Sequence, residues 1–125
     1  MKMKQLVDAA PSIQKIAGQD LHTGTLYRIS RLFGKAEPHL KFYDERRIAI
    51  LEECGTWENG KYIPKTDMIE TLEGKMQELL ELDLDMEGIE PVKIPAYEDV
   101  RISYADLRLL EGFVEIEFEE DKENA

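Results

Sequence analysis

The chain has 125 residues, of which 42% are hydrophobic and 34% charged, and a formal net charge of −11. That length fits one domain with a modest core, and the longest apolar runs are only a few residues, too short for a bilayer-spanning helix. The single cysteine, Cys54, allows no intrachain disulfide, which points to a reducing, cytoplasmic setting.

The basic start, Met1 to Asp8, has no apolar stretch behind it, so no secretory signal is expected. Charge is unevenly placed. Residues 1–65 carry 11 Lys/Arg and 8 Asp/Glu, whereas residues 66–125 carry 5 and 19, nets of +3 and −14. So acidic a second half argues against direct contact with nucleic-acid phosphates or anionic membranes. Either the two halves pack and neutralise each other, or an acidic face is shown to a basic partner.

The first amphipathic piece covers residues 3–19, where Leu6, Ala9, Ile13 and Ile16 recur at helical spacing. Pro11 lies within it. Either the helix starts near Ala10, with Pro11 in its first turn, or a short turn precedes it. Gly18 is the expected stop. The second element is the strongest signal. From Thr25 to Glu53, the positions Leu26, Ile29, Phe33, Ala36, Leu40, Tyr43, Arg47 and Ile50 step by three and four, a coiled-coil-like stripe on one long helix. Leu32, Ile48 and Leu51 widen the stripe, so more than one neighbour is expected. Pro38 withholds a donor from the Gly34 carbonyl. The reading is a kink with Gly34 giving room for the ring, the alternative being two helices that break near Glu37.

Gly55 ends this helix. Thr56-Trp57-Glu58 and Lys61-Tyr62-Ile63 flank Asn59-Gly60, the dipeptide of a type I′ hairpin turn. A third element starts at Thr66 or Asp67, with Asp67 and Glu70 as a capping box. Ile69, Leu72, Met76 and Leu79 continue it, antiparallel to the long helix because the connection is short. Leu40 and Tyr43 should face Leu72, Met76 and Leu79. From Leu82 the period changes to two, through Leu84 and Met86, which predicts a strand. Pro91 to Pro95 reads as an edge strand. Ser103 and Asp106 open a short helix that Gly112 stops, and Phe113 to Phe118 alternates as a final strand. Residues 1–118 thus form one α+β domain, and residues 119–125 an acidic, mobile tail. The expected fold is α+β: a long antiparallel helical hairpin with a β-hairpin tip, and a small sheet and short helix at its C-terminal base.

Chemistry-bearing patterns are few. Asp83 to Gly88 resembles the opening of a calcium loop, but position twelve is Ile94 and not glutamate. His22 and His39 have no ligand-type residue at metal-binding spacing, and Cys54 alone cannot hold zinc. Cys54 follows Ile50 in the stripe and reads as a buried thiol. No glycine-rich phosphate loop or nucleophile elbow is present, so no catalytic residue, metal or cofactor is expected. Within the stripe, Arg46-Arg47 reads as a salt bridge from Arg47 to a glutamate of the third helix, such as Glu70 or Glu73, the alternative being contact with an anion or partner. Trp57, Tyr62 and Ile63 at the hairpin tip either staple it to the helices or form an interaction hot spot. Glu115, Glu117 and Glu119 alternate with Val114, Ile116 and Phe118, which places an acidic row on one face of a strand anchored by the apolar face.

Taken together, Met3 to Val7, Gln19-Asp20-Leu21, Tyr27 to Leu32, Tyr43 to Arg47, Glu58 to Tyr62, Met76 to Leu84 and Ser103 to Leu107 carry a resemblance. The chain resembles a family of small proteins from tailed phages and prophages of Gram-positive bacteria, a domain of unknown function. Pro38 departs from the uninterrupted helix expected of that family. The resemblance implies a phage or prophage origin, and it lends no catalytic residue and no substrate. The expected function is that of a non-enzymatic accessory protein that works through protein–protein contacts, as a virion-associated component or an assembly aid. It would reside in the host cytoplasm or in the virion. The alternative is an acidic inhibitor of a host defence or nucleic-acid enzyme that mimics DNA. The protein partner is unidentified, and self-association as a homodimer is expected from the width of the helical stripe together with the Trp57 tip.

Overall fold

A computed structural model of the chain describes residues 1–86 and 90–117. Helix α1 spans Met3–Ala17 and α2 Thr23–Cys54. Strands β1 (Gly55–Glu58) and β2 (Lys61–Pro64) form a hairpin, and α3 covers Ile69–Leu80. Strand β3 (Val92–Ile94), helix α4 (Tyr104–Leu109) and strand β4 (Val114–Ile116) complete the described chain.

Helix α1 forms because Met3, Leu6, Ala9, Ile13 and Ile16 line one face, and all five are buried. It does not begin at Ala10. It runs unbroken through Pro11, which lies on the solvent side. Burial of apolar residues before and after Pro11 outweighs the one backbone bond that the Val7 carbonyl loses. The helix start is tied down twice. Lys2 N–H donates to the Gln5 side chain at 2.8 Å. Met3 N–H donates to the Leu82 carbonyl at 2.9 Å, and Leu84 N–H to that of Met1 at 2.8 Å. The strand expected from Leu82 is therefore one antiparallel bridge, Lys2 to Asp83. Its partner segment is extended only up to Met3, where α1 starts, so the ladder stops. The rest of the segment expected to look like a calcium loop, Glu87 and Gly88, lies outside the described residues.

Helix α2 has 32 residues, a length of about 48 Å, and it remains a single helix across Pro38. A Cβ placed on Gly34 would meet nothing within 4 Å. Gly34 is thus not there to make room for the proline ring, contrary to the expectation. The stripe serves two separate cores. Towards its N-terminus, Ile29, Leu32 and Ala36 pack with α1, β3, β4, Leu110 and Phe113. Towards its C-terminus, Ile50 and Cys54 pack with Leu79 of α3, with Tyr43, Met68, Leu72 and Met76 around them. Leu40 belongs to the first core and not to the second, so it does not face Leu72 and Met76 as expected. One turn separates it from Tyr43, and the two cores divide there.

Helices α2 and α3 are antiparallel: Lys75 reaches Glu53 at 2.7 Å, while Phe42 and Arg46 lie beside Leu79 and Leu82. That Lys75–Glu53 pair is the ion pair between the two helices among the described residues, rather than one from Arg47 to Glu70 or Glu73. The hairpin between them pairs Trp57 with Tyr62 and Thr56 with Ile63. Asn59 and Gly60 take φ of 51° and 78°, as a type I′ turn requires. Asp67 and Glu70 do not form the expected capping box. Lys65 N–H bonds to the Cys54 carbonyl, and a 3₁₀ turn over Thr66–Met68 delays the helix to Ile69. That turn sets Met68 against the second core.

At the base, β3 and β4 pair in parallel, Val92 with Val114, Lys93 with Glu115 and Ile94 with Ile116. Such a pairing needs a crossover, and α4 sits in it. Ser103 and Asp106 cap α4 reciprocally, at 3.1 and 3.3 Å. Gly112, with φ of 86°, turns the chain into β4.

Candidate functional site

The tip of the α2–α3 hairpin is the first candidate. Gly55 is extended, and a Cβ there would collide with the Ile63 carbonyl, the Tyr62 hydroxyl and Pro64 Cα. Only glycine lets β2 close this tightly on the end of α2. Tyr62 is half-buried, and its hydroxyl donates to the Leu51 carbonyl at 2.8 Å. Burial pushes its pKa up, and the neighbouring Cys54 adds to this. Tyr62 is therefore the staple. Trp57 packs against it, with ring centroids 5.3 Å apart, yet stays 58% exposed. Ile63 points to the other face of the hairpin and is 46% exposed. The tip residues thus divide by role: one anchors, and two are presented.

A second apolar surface lies along the same helical hairpin. Exposed Phe42 and Leu82 line a cleft of about 160 Å³ between α2 and α3, with Arg46 and Glu78 at its rim.

Of the expected acidic row, Glu115 and Glu117 lie among the described residues. Glu115 and Glu117 are exposed while Val114 is buried and Ile116 packs on the core, so the alternation of faces holds. Glu115, however, has Lys93 as its cross-strand neighbour. Glu117 lies past the end of β4, its N–H bonded to the Ile94 carbonyl at 3.0 Å. Phe118, Glu119 and the tail expected at residues 119–125 lie outside the described residues.

Two polar clusters were not anticipated from the sequence. In the first, buried Asp106 accepts from Ser12 Oγ at 2.8 Å and Lys15 Nζ at 2.7 Å, besides Ser103. The Lys15 ammonium, followed by the Ser12 hydroxyl, holds its carboxyl well below the usual carboxylate range. Ser12 and Lys15 are three apart and share a face of α1. That spacing is visible in the sequence, but their partner, 94 residues from Ser12 and 91 from Lys15, is not. The Ser12 hydroxyl is buried and already donates to a carboxylate, so the cluster clamps α1 to α4.

In the second cluster, the Glu98 carboxylate sits at the N-terminus of α2. It accepts from His22 N–H at 3.1 and 3.2 Å, from the His22 ring, and from Thr25 Oγ1 at 3.3 Å. Burial pushes Glu98 up, but the His22 backbone, the His22 ring and the Thr25 hydroxyl together bring it below its ordinary value. A carboxylate there also meets the positive end of the helix dipole. His22 adds an edge-on contact to Tyr97, ring centroids 4.8 Å apart.

Among the described residues, no group of three or more His, Cys, Asp or Glu is placed to hold a metal ion. None of the described helices is long and apolar enough to cross a membrane. No protein-family model matches the chain, and no curated protein or solved structure matches it either.

Proposed function

We propose that the protein works without enzymatic chemistry, by protein–protein contact through the hairpin tip. The observation that carries this reading is Trp57: a large aromatic side chain, 58% exposed, at the end of a rod of two helices. It is held in place by an anchored tyrosine. Aromatic residues presented rigidly, with little conformational entropy left to lose, are the usual centres of binding energy in interfaces. The resemblance noted above supports a setting among phage or prophage accessory proteins, virion-associated or aiding assembly. The acidic row gives weaker support to the alternative of a DNA-mimicking inhibitor, because Lys93 interrupts it beside Glu115.

The test is photo-crosslinking in infected or lysogenic host cells. A photoreactive residue in place of Trp57 should give a discrete adduct. The same group in place of Tyr104, which is 72% exposed at the opposite end, should give none. Equal labelling from both positions, or none from the tip, would overturn the reading. Co-purification of the adduct with particles would place the partner in the virion.

A further inference from the structure

A basic groove runs between α2 and β3, in a chain whose formal charge is −11. Arg28, Arg31 and Lys35 step by three and four along α2 and so share one face. Lys93 of β3 also lines the groove; its neighbours Val92 and Ile94 are buried, and Lys93 is exposed with Glu115 beside it across the sheet. Leu32 and Val92 lie at the floor, and Pro91 and Pro95 line the β3 side. The groove has a volume of about 600 Å³, and among the described residues Glu90 is the carboxylate that lines it. That volume is within the range of small-molecule sites, about 300–1,000 Å³.

One cation is already oriented. The Arg28 guanidinium donates to Thr25 Oγ1 at 3.3 Å, and that hydroxyl is in turn tied to the buried Glu98 carboxylate. Arg31 lies one turn further along the same face.

The geometry excludes two kinds of occupant. An extended peptide would need backbone partners on the free edge of β3. Val92 and Ile94 turn theirs towards β4, since Val92 N–H bonds to Phe113 and the Ile94 carbonyl accepts from Glu117. Pro91 and Pro95 have no N–H to offer, so Lys93 alone supplies a donor on that edge. A long nucleic-acid strand would extend beyond the groove along a chain whose formal net charge is −11, which repels it. A compact anion escapes both objections.

We propose that this groove binds a phosphorylated small molecule of mononucleotide size. Arg28 and Arg31 grip the phosphates, and the apolar lining of Leu32 and Val92, with Pro91 and Pro95 on the β3 side, takes the planar organic part. Guanidinium groups suit phosphate because their forked donors match its oxygens, and prolines and leucine offer a flat apolar surface to a ring.

Calorimetry on the full chain tests this with ADP, pyrophosphate, a short single-stranded DNA and an oligoglutamate peptide as probes. ADP should bind more tightly than pyrophosphate. Arg28→Ala with Arg31→Ala should weaken ADP by about tenfold or more, and Glu90→Gln should strengthen it. Arg46→Ala, on the distal half of α2, should change nothing. All four positions are exposed, so these variants should keep the circular dichroism of the parent. Absence of ADP binding overturns the proposal, as does binding unchanged in the double arginine variant. Pyrophosphate binding as tightly as ADP overturns the mononucleotide reading, since the organic part then adds nothing. DNA or oligoglutamate binding more tightly than ADP assigns the groove to a polymer and overturns the small-molecule reading.

Discussion

Asp106 shows how a single side chain can join distant parts of this chain. Its two carboxylate oxygens take the Ser12 hydroxyl, the Lys15 ammonium and both donors of Ser103. Its carboxyl and that of Glu98 are both held below their ordinary values in the folded chain. In acid, the unfolded chain therefore binds protons that the folded one refuses. The stability contributed by these groups is complete above the ordinary carboxylate range and is lost as pH falls below it. Urea unfolding followed from neutral pH towards pH 3 should show this decline. Asp106→Asn should be less stable at neutral pH and show a shallower decline in acid. The capping relation of Asp106 with Ser103 was legible because both residues lie within four positions. The clamp on α1 was not, because sequence spacing carries no information on which helix faces meet. Gly55 gives a second prediction at this scale. A methyl group there meets backbone on the facing strand, so Gly55→Ala should cost about 1–3 kcal/mol as overpacking. Equilibrium unfolding measures it, and an unchanged midpoint would show that the hairpin can shift to accept the methyl.

At the scale of elements, helices α1 and α2 both contain a proline that local rules would place at a helix start or break. Pro11 and Pro38 are exposed and sit within unbroken helices. The three-four stepping of buried residues was readable in each case, and it proved a better guide than the proline. Tertiary burial is shared over many side chains, whereas the proline cost falls on one carbonyl. Replacement of Pro38 by alanine should therefore stabilise the protein, by about 1–3 kcal/mol. A loss of stability on this change would mean that α2 needs a bend at Pro38 to meet both cores. The hairpin was legible from Asn59-Gly60, since positive φ at two successive residues leaves few alternatives. The expected capping box at Asp67 failed because Lys65 is bonded back to Cys54, a contact that no local pattern reveals. In the small core, Leu79 is 6% exposed, and Leu79→Ala should cost about 2–5 kcal/mol. Leu72→Ala should cost less, because Leu72 is only half-buried.

For the whole molecule, α2 is the shared wall of two cores that differ in size. The base core draws on α1, α2, both strands of the parallel sheet and Leu110 and Phe113 just after α4, while the distal one is centred on Ile50, Cys54 and Leu79. The smaller core holds the tip, so the two ends of the protein should differ in local stability. Native-state hydrogen exchange should find α3 and the hairpin opening at lower free energy than α1. Uniform protection would show a single cooperative unit. The exposed apolar groups of the distal half, Phe42, Trp57, Ile63 and Leu82 among them, are the basis for expecting a dimer. Light scattering at micromolar concentration should find one, and Phe42→Glu should dissolve it. The overall α+β plan was readable because period three-four and period two mark different stretches. The parallel pairing of β3 with β4 and the docking of α1 were not, since three-residue strands carry too little pattern to name their partners.

The N-terminal bridge has a consequence for the order in which the chain assembles. Met1 and Met3 bond to residues 84 and 82, Ser12 to Asp106, and His22 to Glu98. Each of these closures spans more than seventy residues. Helix α1 can therefore be neither locked at its start nor clamped on its side until most of the polypeptide has left the ribosome. The α2–α3 hairpin, by contrast, is closed by the short path from Cys54 to Ile69 and can form on its own schedule. Loops of that contrast in length separate early from late events in folding. A mainly helical protein of this size should thus fold more slowly than its helix content suggests, with the base completing after the tip.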